Sequence, residues 1–344
     1  MLGVDTRPRG SGKPPRSRSK VQNPVLLGKP CKSGPADLRL RVLTPRGRHQ
    51  DGSVCSTRSS SSTKPLSHSI SFQTPPKVPP IACSAQAWAV TNGDTGKVLF
   101  GRNEEEVREV ASLTKIATCY LALQLIKEMG LSLNCEVWVS SRAAQMDGTS
   151  ANLQAGDHLR LIDLFHALML PSGNDAAQCM AEFFGRRLIE QRGFAHTIKD
   201  PDRLFVREMN TLCTKLHLRK TIYQNPHGMS QPRNHSSARD VGALAAVAMR
   251  HSVFRMVVGT EKYTCKVVDR QGSGRVCTWR NTNLLLSRGY EGVKTGVTDA
   301  AGPCLCASWT RHSQRLIITV LHSRSMEARW EEVEQLLSWT IRRD

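Results

Sequence analysis

The stretch "ASLTKIATCYLAL", residues 111–123, decides how this chain is read. It opens with a serine and a lysine three residues apart and then turns apolar. Residues i and i+3 share one face of a helix. In the plainest reading, Ser112 is an N-cap type and Lys115 a snorkelling surface side chain. S-x-x-K arises by chance about once in a chain of this length. The run from 113 to 129, closed by Gly130, is apolar nearly all round, however, which predicts a helix in the middle of a domain. That places Ser112 at the start of a buried helix and argues against a solvated Lys115.

The chemistry of such a pair is specific. A serine hydroxyl is a poor nucleophile at neutral pH and needs an adjacent base. A lysine serves only after losing its proton, and burial with nearby positive charge drives its pKa down. The positive end of the helix dipole acts in the same direction. Ser112 is therefore the candidate nucleophile and Lys115 its base.

Two more clusters follow. "PSGND" (171–175) offers Ser172 and Asn174. A second hydroxyl beside a serine–lysine pair can relay a proton to a leaving amine. An amide side chain supplies donors and an acceptor to a peptide-like substrate. Taken alone, this pattern reads more readily as a loop with a helix cap. "GVKTGVT" (292–298) offers Lys294 and Thr295 as a carboxylate anchor on a strand edge. Gly296 lets a substrate lie against the strand. The backbone N–H groups of Ser112 and Val297 are the expected oxyanion donors.

The rest of the 344-residue chain frames these clusters. It carries 48 Lys and Arg against 29 Asp and Glu, a net +19. Residues 1–80 hold 15 of the basic residues, 3 Asp and no Glu, in Arg-, Ser- and Pro-rich sequence. Such a composition buries too little apolar surface to offset ordering, so this tail is read as disordered. It is compatible with an organelle transit segment, a linker or a polyanion-binding arm. No aromatic residues interleave with its basic ones, which argues against nucleic acid as a partner except through non-specific charge. No apolar leader follows Met1 and no run of eighteen apolar residues occurs, so neither a secretory signal nor a transmembrane span is expected. The eleven cysteines lack C-x-x-C pairs, the histidines lack H-E-x-x-H, and no metal site is read. Cys304 and Cys306 are expected on one face of a strand as buried structure.

Strand patterns lie at residues 85–100 and 302–323, with helical patterns between: 159–188 broken at Pro171, then 200–218 and 237–250. "KYTCKVV" reads as a strand, "CTWRNTNLLL" as a strand leading into a loop, and "SMEARWEEVEQLLSWTI" as a closing amphipathic helix. The expected fold is α/β: the two ends of the body form a sheet, and a helical subdomain is inserted. Residues 81–344 are read as one catalytic domain after the 1–80 tail.

S-x-x-K, S-x-N and K-T-G in this order resemble the penicillin-binding and serine β-lactamase superfamily. The flanks "TGKVLFGRN", "LMLPSGNDAA", "FVREMN", "NPHGM", "NTNLLL" and "GVKTGVTDAAGPCL" narrow the resemblance to the serine-type D-alanyl-D-alanine carboxypeptidases, over roughly residues 85–325. The resemblance implies a β-lactamase/transpeptidase-like antiparallel sheet of about five strands between helices, with the active site in the cleft beside the helical subdomain. It implies cleavage of the terminal D-Ala from peptidoglycan stem peptides ending in D-Ala-D-Ala, through an acyl-enzyme on Ser112, with β-lactams as inhibitors. By matching motif, Lys115 is the base, Ser172 and Asn174 serve proton relay and substrate placement, and Lys294 and Thr295 take the carboxylate. No metal or organic cofactor is implied.

Three departures stand beside it. No signal peptide is visible, and too few residues follow Gly296 for the β-rich C-terminal domain that many relatives carry. Val297 stands where relatives often have a bulkier side chain. The rival enzyme, a class A β-lactamase, uses a glutamate in an E-x-x-x-N arrangement before K-T-G. Four residues after Glu182, Glu190, Glu208, Glu261 and Glu291 stand Arg186, Phe194, Leu212, Cys265 and Thr295, and none is Asn. A pseudoenzyme kept as a binding module is the rival of another class, opposed by three intact motifs.

Overall fold

Alternation of side chains across one sheet organises the domain. The computed structural model describes residues 82–193 and 199–342, so the reading of residues 1–80 lies outside the described residues. In chain order the strands are β1 Ala87–Asn92, β2 Val98–Arg102, β3 Glu136–Trp138, β4 His158–Arg160, β5 Lys262–Val268, β6 Gly274–Arg280, β7 Gly292–Gly296, β8 Cys304–Arg311 and β9 Gln314–Leu321. The helices are α1 Thr114–Met129, α2 Ser141–Ala144, α3 Leu161–Met169, α4 Asn174–Arg192, α5 Pro201–Lys215, α6 Ala238–Ala248, α7 Ser252–Val258 and α8 Ala328–Ile341.

The large antiparallel sheet has five strands in the order β2-β1-β9-β8-β7. The first and last strands of the domain meet at its centre, from Ala87 opposite Leu321 to Asn92 opposite Leu316. Period-two alternation gives each strand two apolar faces. Trp88 and Val90 of β1, Leu305 and Ala307 of β8, and Leu316, Ile318 and Val320 of β9 pack with Trp330, Val333, Leu336 and Leu337 of α8. The intervening residues Ala87, Ala89, Cys304, Cys306, Ile317 and Leu321 join the larger core with α1, α3, α4 and α6. Cys304 and Cys306 are thus buried on one strand face, as expected.

α1, α3 to α6 and α8 fall where the periodicity placed them, and the short helices α2 and α7 were not expected. Pro171 separates α3 from α4, and Gly130 ends α1 in the left-handed region. α1 is the central helix, with ten of its sixteen residues buried, among them Lys115. A 3-10 turn, Ala111–Leu113, carries Ser112 into it. The expected sheet and inserted helical subdomain are both present. A second antiparallel sheet, β3-β4-β5-β6, was not anticipated. β3 and β4 are only three residues each, too short to show alternation, and they lie about a hundred residues from β5 and β6. Among the described residues no single helix is long and apolar enough to cross a membrane.

α4 and α5 pack through a glycine. A Cβ on Gly185 would lie 1.9 Å from the Pro201 carbonyl oxygen and 2.4 Å from its carbon, both backbone atoms that cannot rotate aside. Gly185→Ala should therefore push α5 off α4 and destabilise by about 1–3 kcal/mol or more. The measurement is a thermal melt, with Tm expected to fall by several degrees; an unchanged Tm would show that the helix pair can separate at no cost.

Candidate active site

Three segments converge on one amine. Lys115 lies in the first turn of α1, fully buried, and its Nζ is 2.8 Å from Ser112 Oγ. It donates to Asn174 Oδ1 at 2.7 Å and to the His227 carbonyl oxygen at 2.8 Å. The Asn174 amide is oriented from its other end, where Nδ2 donates to the Asp147 carbonyl at 2.7 Å. A neutral amine has two N–H bonds and one lone pair. In a neutral Lys115 the two carbonyl acceptors would take the N–H bonds and leave the lone pair for Ser112 Oγ.

The His227 carbonyl is held in place by its loop. Asn225 Oδ1 accepts from the His227 and Gly228 amides, and Thr118 Oγ1 of α1 donates to the Pro226 carbonyl at 2.6 Å. Gly228 has φ +89°, and a Cβ there would lie 1.9 Å from the Ala111 carbonyl oxygen. Only glycine permits both that conformation and that approach. Ala111 itself has φ +47°, a strained value for a residue with a Cβ, immediately before Ser112.

β7 forms the edge of the large sheet on the other side, paired only with β8. Lys294 is 1% exposed, with Nζ donating to the Thr295 carbonyl at 3.1 Å. Thr295 Oγ1 lies 2.7 Å from Thr282 Oγ1. A Cβ on Gly296 would meet Val110 O at 3.0 Å, Ser112 N at 3.2 Å and Ala111 Cβ at 3.3 Å. A side chain here would press on the turn that carries Ser112, a reason for glycine beside the room for substrate expected above. Val297, one residue beyond β7, is half exposed. Ser172 is buried with φ +66°, and its hydroxyl has no hydrogen-bond partner among the described residues. Ser112, Lys115 and Asn174 are thus joined directly and Gly296 lies against the Ser112 amide, while the Ser172 hydroxyl makes no bond to the others.

Burial sets the electrostatics. Desolvation pushes Lys115 well below the usual lysine range, Lys294 lowers it further, and Asp175 opposes both. Burial also brings Lys294 down to about 7, helped by the Arg329 guanidinium. Arg329, on α8, is 5% exposed and donates to the Gly296 and Cys304 carbonyls at 3.3 and 3.4 Å. His227 is driven down to about 3 by burial and by Lys115 and Arg142. The reading of the sequence missed Arg329 and the backbone role of His227. "NPHGM" was legible only as a flanking match, and nothing in an amphipathic helix pattern marks one arginine as buried.

A serine hydroxyl against a buried lysine amine whose proton affinity is pushed well down, beside an amide and a lysine-bearing strand edge, forms the chemistry of a serine acyl-transfer site. Comparison with known proteins agrees. The family model described as D-alanyl-D-alanine carboxypeptidase matches residues 73–190 and 191–325. A D-alanyl-D-alanine carboxypeptidase of Streptomyces sp. (strain K15) is 34% identical over 267 residues, 76% of this chain and 88% of that protein. DacC of Escherichia coli (strain K12) is 30% identical over 75% of this chain, and the match spans 61% of DacC. The crystal structure of the Streptomyces K15 DD-transpeptidase superposes with a TM-score of 0.69 at 32% identity, covering 76% of this chain and 98% of that one. DacD from Francisella tularensis superposes with a TM-score of 0.65 at 25% identity, covering 76% and 71%. The chain belongs to the D-alanyl-D-alanine carboxypeptidase family of serine peptidases and has its fold.

The β-lactamase reading is not favoured by these relatives. Three of the glutamates scanned for it are engaged elsewhere: Glu182 with Gln178 and Arg186, Glu208 with Arg192, and Glu291 with Arg315, Thr310 and Ser308.

The buried lysines carry a stability cost with a definite sign. Lys294 has an ordinary pKa of 10.5 when unfolded and about 7 when folded. Between those values the unfolded chain binds the extra proton, so stability rises with pH across that window and is lost as pH falls toward 7. Lys294→Met has no such term. Thermal melts across pH should show Lys294→Met more stable than the parent below pH 7, with the difference shrinking toward pH 10.5. A difference that does not vary with pH would refute the assignment.

Proposed function

We propose that Ser112 is the nucleophile and that the reaction removes the terminal D-Ala from peptides ending in D-Ala-D-Ala. The observation that carries this reading is the 2.8 Å approach of a fully buried, proton-poor Lys115 amine to Ser112 Oγ. Lys115 takes the Oγ proton as Oγ bonds to the scissile carbonyl carbon. The negative charge developing on the carbonyl oxygen is met by the Ser112 and Val297 N–H groups. The C–N bond then breaks. The amine of D-Ala leaves with a proton passed from Lys115 through the free Ser172 hydroxyl. Water attacks the resulting ester, its proton goes to the amine base, and Ser112 Oγ regains a hydrogen.

The substrate's terminal carboxylate is assigned to Lys294 and Thr295, with Arg329 adding positive charge behind the strand. A lysine brought down to about 7 is only partly charged at neutral pH. A bound carboxylate favours its protonated form. Asn174, with its amide orientation set by Asp147, places the peptide. The peptidoglycan stem peptide is the substrate class this arrangement suits, and β-lactams are the corresponding acylating inhibitors. In a β-lactam the cleaved amine stays tethered and blocks water, whereas D-Ala departs and admits it.

Intact-mass spectra after benzylpenicillin should show one long-lived adduct on the parent and none on Ser112→Ala. A diacetylated tripeptide ending in D-Ala-D-Ala should release free D-Ala catalytically. Lys294→Ala should lower that turnover about 10- to 150-fold, as expected for loss of a charged contact worth ~1.5–3 kcal/mol. Adduct formation on Ser112→Ala, or rapid repeated penicillin hydrolysis without D-Ala release, would overturn the reading.

Residues 81–344 are assigned the whole activity. A chain beginning at Ile81 should acylate at the full-length rate and melt within a few degrees of it. A large loss of stability would instead mean that residues 1–80 pack on the catalytic unit.

A further inference from the structure

Next to Asn174 sits a carboxylate that the reaction above does not use. Asp175 is 1% exposed, in the first turn of α4. Its oxygens accept from Ser150 Oγ at 2.6 Å, from the Ala151 amide at 3.0 Å, from the Leu153 amide at 3.1 Å and from the Ala176 amide at 2.8 Å. All four donors are neutral. A buried carboxylate held only by neutral donors keeps its charge uncompensated and projects it into a medium of low polarity.

The three donors from residues 150–153 fasten one loop to the start of α4. The same loop supplies the Asp147 carbonyl that orients the Asn174 amide, and the Thr149 carbonyl that accepts from the Asn174 backbone amide at 2.7 Å. Thr149 Oγ1 donates in turn to the Ser172 carbonyl at 2.6 Å. On the far side Trp279 Nε1 of β6 donates to the Ala151 carbonyl at 2.9 Å. Without the loop, Asn174 Nδ2 would lose the acceptor that directs Oδ1 toward Lys115. We infer that Asp175 is a positioning residue for acylation, which fastens loop 147–153 to α4 and supplies the negative charge opposing the cations around Lys115.

The charges facing Lys115 come from three directions. Lys294, which carries positive charge below about pH 7, faces it from β7, with the Arg329 guanidinium of α8 beyond. The ring of His227, in the loop that packs on α1, is neutral across the working range. Asp175 is the negative member of the set and holds the Lys115 pKa up against burial and Lys294. The base must be neutral to act, so the acid limb of the acylation profile follows Lys115. Removing the Asp175 charge lowers that pKa and moves the limb to lower pH. A residue that only supports the fold would leave the limb in place.

The inference rests on Ser112 and Lys115 acting as proposed, and the experiment separates the two. The second-order rate of acylation by benzylpenicillin is measured against pH for the parent, Asp175→Asn and Ser150→Ala, with amide hydrogen exchange on each. Asp175→Asn should move the acid limb down by about half a pH unit or more and lower the plateau about tenfold, through misplacement of Asn174. The Ala151 and Leu153 amides should exchange faster. Ser150→Ala keeps the charge and removes one donor, so its plateau should fall about threefold with the limb unmoved. A folded Asp175→Asn whose acid limb coincides with the parent's overturns the inference. If Asp175→Asn does not fold, Ser150→Ala decides, and a parental plateau with parental exchange overturns it. A parent that fails to acylate counts against the Ser112 assignment, and the exchange readout still decides for Asp175.

Discussion

Lys115 cannot be buried cheaply, and the geometry around it follows from that constraint. A charged ammonium in this interior carries a desolvation cost of several kcal/mol, so the group sheds its proton instead. Even the neutral amine needs partners for two N–H bonds. They come from the Asn174 side chain and the His227 backbone, two segments that meet α1 only because the domain folds around that helix. The lone pair left over faces Ser112 Oγ. Satisfying a buried polar atom and making a base are here one arrangement.

The price of this arrangement is local strain and close backbone contact. Ala111 and Ser172 both sit in the left-handed region without being glycine. Gly228 and Gly296 let two separate segments approach the turn at 110–112 from different sides. The turn is therefore clamped between the loop at 225–229 and the end of β7. A clamp of this kind keeps the Ser112 hydroxyl and amide fixed relative to the cationic strand edge, which favours reaction over reorganisation.

The two lysines also depend on each other. Lys294 lowers Lys115, while Arg329 lowers Lys294 from behind the sheet. Each positive neighbour makes the lysine beside it give up its proton more readily, at the expense of stability near neutral pH. β1 and β9 join the two ends of the domain between α8 and the helical core, with β1 beside the edge strand β2 and β9 two strands from β7. β7 is left as an edge strand of this sheet, next to the turn that carries Ser112.

Much of this was legible beforehand. An all-round apolar helix told that Lys115 would be buried, and its spacing from Ser112 put both on one helical face. Alternation in β1, β8 and β9 and the break at Pro171 were equally visible, since each is a local property of a few consecutive residues. The roles of Arg329, His227 and Asp175 were not. Arg329 reads as one more charge on an amphipathic helix, His227 contributes a backbone carbonyl that any residue carries, and Asp175 reads as an ordinary first-turn acid. The short strands β3 and β4 showed no period at all. Residue type and local spacing determined the pairing of Ser112 with Lys115 and the main sheet. Which carbonyl would meet the amine, which arginine would lie behind the strand and which loop would orient the amide were decided by contacts between segments tens to over a hundred residues apart, and such contacts exist only once the chain has packed.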